Sequence, residues 1–220
     1  MSGRLQIDVF FDFICPWCLI GKRQLERAQQ LLRRQQPDVQ IVTQWHGVQL
    51  LPQLPATGLP FAEFYRQRLG SAEAVRMRQA QVRQAAMAVG VAIDLEGITT
   101  MPNTADAHRL LARAEALGDS ARRDALLERL FAGYFQLGEN LGCPQTLLAI
   151  ASACGYPASE LADCLTGDAR AFIGKEQGAS QGVPAFQFNA RLTVVGAQPA
   201  EALLGAMDEA LRSQCVEQPV

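Results

Sequence analysis

Apolar residues follow three patterns along this chain. From residue 5 to residue 13 they are almost continuous (Ile7, Val9, Phe10, Phe11, Phe13), which predicts a central strand buried on both faces. The chain then turns at Ile14-Cys15-Pro16, and a helix is expected from about residue 16 to residue 34. Pro16 suits the first helical position, where its missing N–H costs nothing. Leu25, Ala28 and Leu32 give this helix an apolar stripe, and Pro37 ends it. Residues 39–45, with Ile41 and Val42, read as a second strand, so the first fifty residues spell strand–helix–strand.

The second pattern begins after a connection at residues 51–59, which holds Pro52, Pro55 and Gly58. From about residue 61 to residue 178 the spacing is helical, with no convincing strand. One stripe is Leu110, Leu111, Ala114 and Leu117; another is Leu127, Leu130, Phe131, Tyr134 and Phe135. The third pattern is a return to strands at 184–188 and 191–195, joined through Asn189-Ala190 as a hairpin. A last helix at 199–212 carries Leu203, Leu204, Met207 and Leu211 on one face. A βαβ half and a ββα half around a helical insert predict an α/β, thioredoxin-like fold interrupted by a large all-helical insertion. Residues 1–50 and 175–220 would form the thioredoxin-like domain, and residues 51–174 the insertion domain.

Composition narrows the function classes. With 220 residues and a formal net charge of -2, the chain has no basic excess for nucleic acid or an anionic membrane surface. No stretch approaches the ~18 apolar residues of a membrane helix. Asp8 and Asp12 interrupt the apolar start, which therefore does not read as a secretory signal, and a cytoplasmic location is expected. Six cysteines are too sparse for a disulfide-stapled scaffold. In a reducing compartment a close pair points to catalysis or metal binding, and Cys15 and Cys18 form the one close pair.

Cys15 follows a buried strand and opens a helix. The helix macrodipole and the first N–H groups, which lack intrahelical partners, favour a thiolate there. Cys18 lies three residues on, within reach on the same turn. Cys15 would attack a disulfide and Cys18 would resolve the mixed disulfide. Pro16 and Trp17 between them influence helix geometry, the contact surface and so the redox potential. A zinc site would need two more ligands; the histidines are His46 and His108 alone and there is no second Cys-x-x-Cys, so no metal is expected. Gly182-Val183-Pro184 places a proline at a strand start, where a cis X-Pro bond would sit in this fold. Asp12 has two readings: a carboxylate shuttling a proton to or from Cys18, or one satisfying backbone N–H groups in the turn.

Five segments carry a family resemblance: Phe11-Asp12-Phe13-Ile14-Cys15-Pro16-Trp17-Cys18-Leu19-Ile20-Gly21, Asn103 to Leu110, Leu130 to Phe135, Gly182-Val183-Pro184-Ala185-Phe186 and Gly196-Ala197-Gln198. In these the chain resembles the DsbA-like thioredoxin group, and its FrnE-like branch of cytoplasmic dithiol–disulfide enzymes. The resemblance implies Cys15 as nucleophile, Cys18 as resolving thiol, and a cis Pro184 facing the pair. It also implies that the Val183 backbone pairs with substrate as an added strand. Within the same superfamily, 2-hydroxychromene-2-carboxylate isomerases and kappa-class glutathione transferases carry serine where Cys15 stands and lack the pair. His108 matches the group's Asn-Thr…His segment; it could line a cleft between the domains or be a structural helical residue. His46 has no motif support. Cys143, Cys154, Cys164 and Cys215 lie in or beside apolar helical stretches and are expected to behave as small buried hydrophobes, with Cys143 and Cys215 the more open. No second redox pair is expected.

The leading expectation is a thiol–disulfide oxidoreductase or isomerase acting on disulfide- or thiol-containing peptides or small molecules. No cofactor is expected to be bound obligatorily, and glutathione could serve as redox partner. Nucleic acid and membrane are not expected partners, while the apolar helices of the insert could supply a homodimer surface. Two alternatives stand: a glutathione-dependent isomerase or transferase of small aromatic compounds, with Cys15 holding or activating glutathione, and a non-enzymatic holdase or partner-binding module.

Overall fold

The computed structural model describes residues 3–174 and 181–216, the last three by backbone alone. Strand β1 (Arg4–Phe11) closes Leu5, Ile7, Val9 and Phe11 of one face to solvent; on the other face Asp8 and Phe10 are buried, but Gln6 is half-buried and Arg4 exposed, so burial on both faces holds only from Asp8 onward. Helix α1 (Pro16–Gln35) opens with Cys15 in an extended conformation at the N-cap and Pro16 in the first turn. It buries Leu25, Ala28 and Leu32, and the N–H of Gln36 closes it on the Leu32 carbonyl. Strand β2 (Gln40–Gly47) runs parallel to β1, with Arg4 opposite Gln40 and Phe11 opposite Gly47.

The helical segment then contains β3 (Leu59–Pro60), α2 (Phe61–Leu69), α3 (Ala72–Ala88), β4 (Thr100–Met101), α4 (Ala105–Ala116), α5 (Ser120–Leu137), α6 (Pro144–Ala153) and α7 (Ala158–Leu161), with a 3-10 turn at Ala162–Cys164. Ser71 and Asp119 cap α3 and α5 by accepting the N–H groups of Ala74 and Arg122. Leu110, Leu111 and Ala114 of α4 and Leu127, Leu130, Phe131, Tyr134 and Phe135 of α5 are buried as the spacing predicts. Leu117 is not: it caps the end of α4 and is exposed.

Two further expectations are corrected here. The stretch after residue 61 is not free of strand, because Thr100–Met101 pairs antiparallel with Leu59–Pro60. A ladder of two residues is too short to leave an alternating pattern. Residues 165–174 are not helical either. Asp106 accepts the N–H groups of Gly167 (2.8 Å) and Thr166 (3.2 Å), and Arg109 bonds the Thr166 hydroxyl and the Arg170 carbonyl. Side chains of α4 thus take over backbone groups that a helix would satisfy internally. The rest of that expected helical stretch, residues 175–178, lies outside the described residues.

Strands β5 (Ala185–Phe188) and β6 (Leu192–Val195) form the expected hairpin, and α8 (Ala200–Val216) ends the described chain. Asn189 and Ala190 both take positive φ (50° and 56°), the turn that matches strand twist. The Asn189 side chain also accepts the Gln6 N–H and donates to the Ala210 carbonyl, tying hairpin, β1 and α8 together. The sheet order is β2-β1-β5-β6, with β5 antiparallel to both β1 and β6. One core joins Leu5, Ile7, Val9, Phe186 and Phe188 of the sheet to Leu25 and Leu32 of α1 and to Leu203, Met207 and Leu211 of α8.

The chain divides into two compact units, Met1–Val48 with Gly174–Val220, and Gln49–Ile173. The first is a thioredoxin-like α/β unit and the second is built mainly of helices, inserted between β2 and β5. Among the described residues, no helix is long and apolar enough to cross a membrane.

Candidate active site

The site begins where β1 stops. Asp12, Phe13 and Ile14 turn the chain, and the Cys15 N–H donates to the Asp12 carbonyl at 3.1 Å. Cys15 is the N-cap of α1, and the Cys18 N–H donates to its carbonyl at 3.0 Å, winding the first turn so that both cysteines face the same place. The Cys15 sulfur accepts no cap hydrogen bond from the helix. Its S–H is directed instead at the Val183 carbonyl, 3.9 Å away. Both sulfurs belong to largely buried residues, Cys15 at 8% exposure and Cys18 at 2%.

The two thiols are not equivalent. Burial pushes the Cys18 thiol well above its ordinary range, and the hydrogen bond and charge of Cys15 push the same way, against a smaller opposing backbone interaction from Asp12. Cys18 therefore keeps its proton beside the Cys15 sulfur. Asp12 is fully buried, and its charge adds to what raises Cys18. Its backbone carbonyl accepts the Cys15 N–H in the turn, and its charge acts on Cys18.

From the far end of the unit, the chain returns Val183 and Pro184 to this point. The Val183–Pro184 peptide is cis, as the resemblance implies. The Pro184 carbonyl accepts the Gly196 N–H at 2.7 Å, anchoring the start of β5 beside the end of β6. The structure thus brings together Asp12, Cys15, Cys18, Val183 and Pro184, with Pro16 and a half-buried Trp17 in the first turn of α1.

His108 belongs to the helical unit. It is buried on α4 and stacks on Phe172, ring centroids 5.2 Å apart. The surrounding segment has a structural task there. Asn103 accepts the N–H of Ala105 and the amide of Gln49 and donates to the Leu54 carbonyl, while Asp106 and Arg109 hold the 166–171 loop.

Sequence reasoning gave His46 no role, yet its Nε2 lies 2.6 Å from Asp8 Oδ1 and its ring lies tilted against Phe10, centroids 5.0 Å apart. Gln6 donates to the other Asp8 oxygen. The parallel register that sets Phe10 opposite His46 is the signal that finds this cluster. Gly21 was also passed over, although it stands one turn beyond Cys18 against Pro184 and Phe186.

Cys154 and Cys164 are half-exposed rather than buried, and Cys143 is half-exposed as well, as expected of the more open cysteines. Each sits at the end of a helix, off the apolar stripes: Cys143 caps α6 at its start, Cys154 at its end, and Cys164 closes the 3-10 turn. The Cys215 side chain lies outside the described residues. Hydrogen bonds from the Thr146 backbone and hydroxyl lower the Cys143 thiol, while burial raises Cys154 and Cys164. Under timed iodoacetamide labelling of the reduced protein, Cys143 is expected to be modified at lower pH than Cys154 or Cys164, with Cys18 last of all. Peptide mapping by mass spectrometry reads the order, and labelling of Cys18 ahead of Cys143 would contradict it. No cluster of metal-binding side chains occurs among the described residues.

A thioredoxin-like unit with a Cys-x-x-Cys opening its first helix, split by a helical insertion, defines the class of this protein. The chain belongs to the DSBA-like thioredoxin domain family, which it matches over residues 6–208. A search of curated proteins gave no match. Among solved structures, the chain is similar to a probable DsbA oxidoreductase from Streptomyces coelicolor, with TM-score 0.80 and 24% identity over 98% of this chain and 92% of that one. It is also similar to a Nitrosomonas europaea protein at TM-score 0.67 and 14% identity, covering 96% and 98%. A third likeness is to a 2-hydroxychromene-2-carboxylate isomerase at TM-score 0.60 and 14% identity, covering 97% and 100%. At these identities the likeness is one of fold.

Proposed function

We propose that the protein is a dithiol–disulfide oxidoreductase in which Cys15 attacks and Cys18 resolves. The observation that supports this most directly is the contact between an N-capping Cys15 and a buried Cys18 held in its protonated form. The Cys15 thiolate forms a bond to one sulfur of a substrate disulfide, and the substrate S–S bond breaks, releasing a thiolate. Cys18 then gives up its proton, with the Asp12 carboxylate as acceptor, and attacks the Cys15 sulfur. A Cys15–Cys18 disulfide forms, the mixed disulfide breaks, and the second substrate thiolate leaves. Substrate has gained two electrons and the protein has lost two; the reverse sequence oxidises a substrate dithiol. The Val183 carbonyl beside Cys15 supplies an edge on which an extended peptide can pair.

Equilibration in graded glutathione buffers tests this reading, with Cys15→Ser and Cys18→Ser as controls. One reversible Cys15–Cys18 disulfide is expected, with Cys18→Ser accumulating a mixed disulfide with glutathione. A midpoint between about -120 and -200 mV would make the pair an oxidant or isomerase, and one near roughly -270 mV a reductant. If no reversible disulfide forms at any poise, the dithiol mechanism is wrong, and the glutathione-binding or non-enzymatic readings replace it.

A further inference from the structure

We propose that Gly21 is a positioning residue that fixes where the substrate-pairing backbone at Val183 stands relative to Cys15, an inference that rests on the dithiol reading above. Gly21 lies inside α1, buried, three residues after Cys18. A Cβ there would stand 3.0 Å from Cγ of Pro184 and 3.0 Å from Cζ of Phe186. Both distances are tighter than most side-chain carbon contacts, so a neighbour must give by a few tenths of an ångström, and the bare backbone at position 21 lets the Pro184 ring lie this close to the helix. Pro184 is bonded to Val183, whose carbonyl lies 3.9 Å from the Cys15 sulfur. The approach of the proline to α1 and the approach of Val183 to Cys15 are therefore one geometrical quantity. Phe186 is fully buried in the core of the unit and has little room to give, so an added methyl is relieved mainly at Pro184. That moves the pairing edge outward by a few tenths of an ångström while leaving both cysteines on the same helix.

The chemistry implies a split effect. Attack by Cys15 on a disulfide requires only the sulfurs. Alignment of an extended peptide requires the Val183 edge as well. Gly21→Ala is expected to raise KM for an oxidised model peptide about tenfold, with a much smaller change in kcat. Gly21→Val should exceed it in the same direction. A purely structural role for Gly21 would lower the thermal midpoint without moving KM at 20 degrees or more below that midpoint. Alanine is the better helix former, which favours folding of the variant. Should it fail to fold, Gly21→Ala/Phe186→Leu removes the Cζ contact while keeping the crowding at Pro184, and KM should still be raised. A wild-type KM in either folded variant overturns the inference. The glutathione titration of the wild type separates the two failures: no reversible disulfide sinks the dithiol reading itself, whereas a normal disulfide with an unmoved KM sinks the role of Gly21 alone.

Discussion

Replacing Cys15 by serine should lower the rate of exchange with a peptide disulfide at pH 7 by at least about 10³-fold. The substitution exchanges one atom at a largely buried N-cap, and serine is itself a favoured N-cap residue, so far-UV circular dichroism and thermal midpoint should stay close to wild type. What is lost is the chemistry. An alkoxide is not available at neutral pH, and oxygen cannot enter the chain of S–S exchanges. Cys18 cannot substitute, because burial keeps its thiol protonated well above neutrality. Cys18→Ser should differ in kind, completing the first exchange and then stalling. Stopped-flow measurement with an oxidised peptide distinguishes the two. Retention of more than about a tenth of wild-type turnover in Cys15→Ser would remove the dithiol mechanism, since no thiol exchange chemistry allows it.

The second large effect is on stability. Phe188→Ala should destabilise the thioredoxin-like unit by about 3–5 kcal/mol. Phe188 is closed to solvent in β5, pairs with Ile7 of β1, and sits in the core that both α1 and α8 cover. The lost transfer energy of the ring adds to the cavity left behind, since neither the paired strands nor the helices on them can collapse without breaking ladder hydrogen bonds. Trp45 is packed against the same core and lies edge-on to Phe11, so its fluorescence during urea unfolding reports on this unit. The midpoint should move to lower urea. A loss below about 1 kcal/mol would mean that the site relaxes in a way this packing does not suggest.

What the sequence disclosed was what local physics writes into short windows. The run Val9-Phe10-Phe11 marked the buried end of β1, although Leu5, Ile7 and Val9 alternate with Arg4, Gln6 and Asp8 before it. Pro16 marked the first turn of α1, and Leu25, Ala28 and Leu32 marked its buried face. Asn189-Ala190 flanked by apolar runs gave the hairpin, and three-residue spacing gave the cysteine pair. What escaped depends on partners far along the chain. Thr100–Met101 is a strand only because Leu59–Pro60 lies beside it. The loop after Cys164 avoids helix because α4 side chains bind its backbone. His46 meets Asp8 through a parallel register that leaves no periodic trace in either strand alone. Gly21 stood only at the end of a matching segment, and its closeness to Pro184 depends on a strand more than 160 residues further on. Cys154 and Cys164 were misjudged because composition locates apolar stretches, whereas burial depends on which helical face or end a residue occupies.

The ladder from β1 to β5 also has a consequence in time. Cys15 and the Val183 carbonyl that it faces are 168 residues apart. At ribosomal rates of about 5–20 residues per second, on the order of ten to thirty seconds separate their synthesis. Over that interval the growing chain carries the Cys15 thiol while β1 has at most β2 as a sheet neighbour and lacks the strand that presents Val183. Until then the Cys15 and Cys18 thiols stand without the Val183 carbonyl beside them. The Val183 backbone joins the two thiols only when the end of the chain arrives.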